Sequence, residues 1–238
     1  VEHWRSRKFR TAGALFWQLN DCWPVTSWSC IDYDHRPKAL YYYARRFYAP
    51  VLPVIEHRDG RFTVTVVNDR STDFEGEVIC GFGRLNGDQD WVRRSAIRVP
   101  ANGVAVGQEK KADELDLTRP EDSYFWCRVI EAGREIARDA HFLLPDKHVQ
   151  FEVPAWQIAT EQTGDRTFVV QLAGETFARG VWLHLEGEDA EFSDNFFDAF
   201  PELPVRVAIR TATDFGAGDV QRRLRVRSVA DAQQTRGA

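Results

Sequence analysis

The chain has 238 residues, 43% of them hydrophobic, and a formal net charge of −5. That length suits one large domain or two to three small ones, and the acidic balance argues against a nucleic-acid partner, which needs a basic surface to neutralise phosphate. No apolar run approaches the ~18 residues that span a bilayer, so no membrane partner is expected.

Val1 opens the chain and methionine is absent throughout. A fragment or processed chain is therefore expected, with no signal peptide at its start. Residues 1–49 hold four of the eight tryptophans and five of the six tyrosines, and carry 8 basic against 4 acidic residues. The remainder carries 23 against 32, so the style of the chain changes near Pro50.

The run GALFWQL, 13–19, is continuous and apolar, the mark of a strand buried on both faces as in a parallel sheet. A loop follows, and then HRPKALYYYARRFYAP reads as a helix. Pro37 stands where a first-turn proline is tolerated, and Leu40, Tyr43, Ala44, Phe47 and Tyr48 form its apolar stripe. Pro50 stops it. A buried strand and an amphipathic helix make half of a βαβ unit, and no second unit follows.

From residue 51 the pattern is short strands and turns. PVIEHRDGRFTVTVVND predicts a hairpin, with Asp59-Gly60 as its turn and Phe62, Val64 and Val66 facing inward. GEVICGFGRL and WVRRSAIRVP continue as strands, and SYFWCRVIEAGREIARDAHFLLP adds two more around a turn at Ala132-Gly133. This is an antiparallel sandwich of immunoglobulin-like size. A second sandwich follows, with strands near QFEVPAWQIATEQ, RTFVVQLAG, RGVWLHLEG, VRVAIRTAT and RRLRVRSV. DFGAGD makes a late turn and DAQQTRGA a frayed tail.

The chemistry-bearing residues are sparse. Cys22, Cys30, Cys80 and Cys127 form no CxxC pair and complete no zinc site, so free thiols are expected, with neither metal nor cofactor. There is no nucleophile elbow, P-loop or dinucleotide fingerprint, and GFGRLNG reads as bulge or strand-end chemistry. The six histidines are scattered and read as structural. Asp21, Asp32 and Asp34 lie in the aromatic segment. Asp32 and Asp34 suit a turn and a helix entry, whereas Asp21 suits a positioning role on loop backbone or a hydroxyl.

Tryptophans carry the strongest signal. A sugar presents a flat face of C–H bonds, which an indole face matches while its edge N–H stays available. Trp17 stands beside Gln18, Asn20 and Asp21 near the end of the predicted strand, so a core role and a sugar-facing role are both open to it. Trp23 and Trp28 follow in the loop. Trp4, Trp91, Trp126, Trp156 and Trp182 read as core or sealing residues.

The segment GALFWQLNDCWPVTSWSCIDYDHRPKALYYYARRFYAPV resembles the end of the catalytic barrel of β-mannosidases in glycoside hydrolase family 2. That family shows a barrel strand ending W-Q-L-N-D, then W-P, S-W-S, I-D-Y and a helix with K-A-L. EHWRSRKFRTAG is similar to the approach to that strand, and EGEDAEFSDNFFDAFPELPVRV to the family's last sandwich, where F-S-D-N-[FY]-F-D recurs. The likeness spans the whole chain, most weakly over residues 70–130.

The resemblance implies a mainly β chain: two immunoglobulin-like β-sandwich domains in series, preceded by a strand-plus-helix remnant of a (β/α)8 barrel. The expected domains are 1–49 for the last barrel strand and helix, 50–146 for the first sandwich and 147–238 for the second. It further implies a parent that is a retaining exo-β-mannosidase acting on β-mannosides or manno-oligosaccharides. The two catalytic glutamates would end the fourth and seventh barrel strands, so no catalytic residue falls in this chain. The chain alone is expected to be inactive, with the missing N-terminal part of the same enzyme as its partner. Trp17 matches the eighth-strand tryptophan lining the sugar pocket, and Asn20, Asp21 and Trp23 match the pocket mouth. The alternative is a non-catalytic carbohydrate-binding or scaffold module, whose sandwich tryptophans would line an exposed groove.

Overall fold

The structure is a computed structural model and describes residues 1–234. The elements in chain order are α1 (Glu2–Arg5), α2 (Ala39–Phe47), β1 (Val51–Arg58), β2 (Arg61–Asn68), β3 (Phe74–Arg84), β4 (Gln89–Val99), β5 (Gly103–Lys111), β6 (Ser123–Glu131), β7 (Arg134–Phe142), β8 (Gln157–Gly164), β9 (Thr167–Ala173), β10 (Ala178–Leu185), β11 (Glu191–Phe192), β12 (Phe197–Ala199), β13 (Val205–Arg210), α3 (Ala217–Arg223), β14 (Leu224–Arg227) and α4 (Val229–Gln234). The chain is mainly β, as expected. It divides into two units: Val1–Trp17 with Ala44–Arg84 and Asp88–Val149, and Gln18–Tyr43 with Leu85–Gly87 and the residues from Gln150 on. Among the described residues no helix is long and apolar enough to cross a membrane.

In the first unit a three-stranded sheet, β1-β2-β5, faces a four-stranded sheet, β4-β3-β6-β7. The β1–β2 hairpin closes through Asp59 (φ 50°) and Gly60 (φ 70°), and β6–β7 through Ala132 (φ 49°) and Gly133 (φ 78°). Two successive residues at positive φ make the turn whose twist matches that of paired strands. Phe62, Val64 and Val66 of β2 are fully buried, and they meet Val78, Cys80 and Phe82 of β3 and Phe125, Cys127 and Val129 of β6 in one core. Period-two burial on both sheets is what makes the pair a sandwich. β5 has no counterpart among the expected strands. Of the two glycines in GFG, Gly83 borders a register shift against β4, as expected, but Gly81 lies in the regular ladder opposite Trp126.

The second unit pairs β12-β10-β14 with β11-β13-β9-β8. Phe168, Val170 and Leu172 of β9 meet Val181, Leu183 and Leu185 of β10 and Val207 and Ile209 of β13. DFGAGD does not end in a turn: it runs into α3, where the Asp219 carboxylate accepts the Gly216 N–H at 3.1 Å. Part of the expected frayed tail is the helix α4, and Thr235–Ala238 lie outside the described residues.

The first 49 residues depart most from expectation. The helix is present as α2, but Gly13–Leu19 forms no strand, and Leu15 is 96% exposed. A strand buried on both faces requires neighbours on both edges, and no described strand pairs with this segment. Pro37 lies before the helix, bridged to Ile31. The expected stripe is not the buried one either. Tyr43 and Tyr48 are exposed and Tyr42 is buried, its ring 6.0 Å from that of Phe196. Trp4 was expected to be covered and is half exposed.

Candidate functional site

Residues 13–17 are held by side-chain contacts instead of a sheet. The Tyr48 hydroxyl donates to the Ala14 carbonyl at 2.8 Å, and the Phe16 and Tyr48 rings stack with centroids 6.2 Å apart. Upstream, the buried Arg5 donates to the carbonyls of Phe47 and Ala49 beyond the last turns of α2 and to the Asp69 carboxylate, which also takes Lys8. Trp17 ends this segment with 75% of its surface exposed.

The next residues close a loop. Cys30 N–H donates to Gln18 O at 3.1 Å, Ile31 N–H to Leu19 O at 2.9 Å and Asp21 N–H to Ile31 O at 3.0 Å. Asn20 pairs with Ile31 in a parallel bridge, and its side chain donates to the Asp21 carbonyl. Within this neck Asp21 is buried. Its Oδ1 accepts the Ser27 hydroxyl, and its Oδ2 lies 3.2 Å from Lys38 Nζ. The Ser27 hydroxyl takes the Ser29 N–H, and the Ser29 hydroxyl donates to Ile31 O. Trp23 and Trp28 stand out from the loop, each 66% exposed.

These contacts fix the chemistry open to each carboxylate. The Ser27 hydrogen bond, aided by Ser29 and Lys38 against the effect of burial, lowers the Asp21 pKa. A general acid in glycoside cleavage needs the opposite shift, so Asp21 does not suit that role. Asp32 is raised by desolvation but lowered further by Arg36, whose N–H and guanidinium both bind it at 2.8 Å. Asp34 joins the same guanidinium at 2.9 Å, around a turn with His35 at φ 65°. Asp32 and Asp34 are turn residues, as their sequence setting suggested. The Asp21 carboxylate holds a hydroxyl, one of the two roles its setting suggested, while Ser27, Ser29 and Lys38 were not singled out by sequence reasoning. The hints of them were the S-W-S spacing, which offers two hydroxyls on the same side of an extended stretch, and the K-A-L at the start of the helix.

Away from this loop, Trp126 is buried and its indole N–H donates to Gln89 Oε1 at 2.9 Å; Trp91, Trp156 and Trp182 are half-buried.

Comparison with known proteins gives these features a context. Residues 60–148 match a Mannosidase Ig/CBM-like domain and residues 151–232 an Ig-fold domain of the mannosidase type. A β-mannosidase of Rattus norvegicus is 32% identical over 198 residues, covering 79% of this chain and 22% of the relative. β-Mannosidase B of Thermothelomyces thermophilus is 30% identical over 226 residues, covering 84% and 26%. The chain thus spans about a quarter of the length of the curated relatives it matches. A solved β-D-mannosidase from Dictyoglomus thermophilum superposes with a TM-score of 0.85 at 27% identity, over 95% of this chain and 27% of that one. An exo-chitosanase from Amycolatopsis orientalis shares the fold, with a TM-score of 0.66 at 16% identity over 94% of this chain and 31% of that one. Two consecutive mannosidase-type domains, the relatives that span them and the matching fold identify the chain as the C-terminal part of a protein of the β-mannosidase family, in glycoside hydrolase family 2.

Proposed function

We propose that the whole protein is a retaining exo-β-mannosidase, releasing terminal β-D-mannose through a covalent glycosyl-enzyme intermediate. Two carboxyl groups about 5–5.5 Å apart carry that chemistry, one as nucleophile and one as acid and base. In this reading they are glutamates supplied upstream of Val1, and the chain by itself is inactive. Trp17 forms a wall of the subsite that holds the departing mannose, and Asn20, Asp21 and Trp23 belong to the loop at its mouth. The observation that carries the reading is the exposed Trp17 indole followed directly by a hydrogen-bonded loop, in a chain whose relatives bear the name β-mannosidase. An apolar sugar face on that indole replaces water on both surfaces.

A sugar-binding role for the sandwiches alone would need exposed indoles in a groove. Trp126 is 8% exposed, with its N–H on Gln89, and Trp91, Trp156 and Trp182 are half-buried, so none of the four stands fully exposed in a groove.

Hydrolysis of p-nitrophenyl β-D-mannopyranoside tests the proposal. The chain alone is expected to release no p-nitrophenol, and the longer polypeptide to release it with β-mannose as the first anomer seen by proton NMR. Trp17→Ala in that polypeptide loses burial of an indole face, ~1.4–3 kcal/mol, and so lowers kcat/KM by about 10- to 150-fold. Turnover by the chain alone, α-mannose formed first, or a Trp17→Ala variant at full kcat/KM would each sink the corresponding part.

A further inference from the structure

The loop that carries Trp23 and Trp28 is closed by a charge that comes from outside it. Its neck has three main-chain hydrogen bonds, from Cys30, Ile31 and Asp21. The span between them is tied by Asp21, whose side chain is 1% exposed and grips Ser27 across the loop. A buried carboxylate is costly unless paired. Lys38 supplies the pairing: its ammonium lies 3.2 Å from Asp21 Oδ2 and donates to the Ser27 carbonyl at 3.3 Å. One cation thus holds both ends of the same internal tie. Lys38 is fixed in turn, because its own N–H donates to Cys30 O at 2.8 Å and α2 starts at the next residue. Its side chain is 30% exposed.

We propose that Lys38 is a positioning residue. By neutralising Asp21 and holding the Ser27 carbonyl, it keeps the loop Asn20–Ile31 closed and fixes where Trp23 and Trp28 stand beside the proposed pocket. The role at the mouth rests on the β-mannosidase reading; the holding of the loop does not. Lys38 touches no reacting atom in this scheme. Its effect is on the placing of the two exposed indoles that the loop carries.

Two measurements separate the two levels. The first is hydrogen exchange by mass spectrometry on the 238-residue chain, read over peptides within 18–31. Lys38→Ala is expected to speed exchange there by about tenfold or more, since local opening sets the rate. Lys38→Arg keeps a cation and is expected to restore most of the protection. Ser27→Ala removes the hydroxyl tie but leaves the ion pair, and is expected to fall between. The second is steady-state kinetics of the longer polypeptide with β-1,4-mannotriose. There Lys38→Ala is expected to raise KM about fivefold or more with kcat changed less than about twofold, the signature of lost binding that is equal in ground and transition states. Lys38→Arg is expected to recover KM. Unchanged exchange in both Lys38→Ala and Ser27→Ala overturns the proposal whatever the kinetics. Faster exchange with an unchanged KM overturns the role at the mouth. Faster exchange in a protein whose wild type cleaves no mannoside overturns the β-mannosidase reading, while the loop-holding role stands.

Discussion

Gly81 is a position where one added methyl group should be costly. It lies in the regular part of β3, directly opposite Trp126 of β6, and the indole lies across the space a side chain would occupy. A Cβ at Gly81 would come within 2.7 Å of Trp126 Nε1 and closer still to Cε2 and Cζ2. Ordinary contact between such atoms is about 3.5–4.0 Å, so the ring must retreat by roughly 1 Å. Overpacking of this kind costs ~1–3 kcal/mol. The retreat also pulls the indole N–H from Gln89, for a further ~1 kcal/mol, while the stiffer residue returns ~0.5–1 kcal/mol relative to glycine in a strand. Gly81→Ala is thus expected to destabilise the chain by about 1–3 kcal/mol, lowering the urea midpoint by roughly 0.5–1.5 M for a slope near 2 kcal/mol/M. The assay is urea unfolding followed by far-ultraviolet circular dichroism on wild type, Gly81→Ala, Trp126→Leu and the double variant. With the indole gone the methyl has room, so the cycle should show a coupling of at least about 1 kcal/mol. Additive single-variant costs, within about 0.5 kcal/mol, would refute the claim that Gly81 exists to admit the Trp126 ring.

Two further outcomes follow from other junctions. Asn195→Ala is expected to cost about 2–5 kcal/mol in urea unfolding, because it leaves the N–H and C=O of Leu183 and the N–H of Phe196 without the partners that Asn195 provides. Desolvation raises the Asp69 pKa, but Lys8 and Arg5 outweigh it and the net shift is downward. A lowered folded pKa means stability present above the ordinary value of 3.8 and lost as pH falls through the lower folded value. The stability gap between wild type and Asp69→Asn, followed by thermal unfolding at successive pH values, should therefore be widest near neutrality and shrink below pH 3.8.

Whether an element could be read from sequence depended on how local its cause was. The Asp59-Gly60 and Ala132-Gly133 turns were legible because positive φ is a property of those residues themselves. Alternation along Phe62, Val64 and Val66 was legible because one buried face repeats every second residue. Strand β5 was missed: Gly107 interrupts GVAVGQEKK, and the ladder to β2 shifts register between Val64 and Thr65, so its period is broken. Gly13–Leu19 misled for the opposite reason. A continuous apolar run carries no signal of its own edges, and its state depends on strands that other residues must supply. The candidate site divides in the same way. Asp21 was legible as a positioning residue because an aspartate in a loop bonds nearby groups, and Ser27 is six residues on. Lys38 was not, since it reaches Asp21 across 17 residues and one bridge.

The F-S-D-N-F-F-D stretch shows what such a signature can encode. Strand β12 covers the edge of β10 at Ala178 and Val181 and pairs with nothing beyond. Leu183 lies two residues further along β10, fully buried, with its N–H and C=O turned toward an edge where the ladder has run out. Asn195 fills that place with a side chain: Oδ1 accepts the Leu183 N–H and Nδ2 donates to the Leu183 C=O, each at 2.8 Å. A side-chain amide has the same donor and acceptor as a peptide group, which an ionised aspartate or a leucine would lack. Phe196 then takes φ 50°, which turns the chain so that Phe197 enters the core and Asp198 meets the Gly180 N–H at 2.9 Å and the Arg179 guanidinium. The motif therefore closes a sheet edge inside the last sandwich. The W-Q-L-N-D and S-W-S stretch differs in kind, because it leaves Trp17, Trp23 and Trp28 mostly exposed while spending its polar groups on holding one loop. Exposure of large indoles above a fixed backbone leaves apolar surface in water, and the proposed binding role rests on that feature of this stretch.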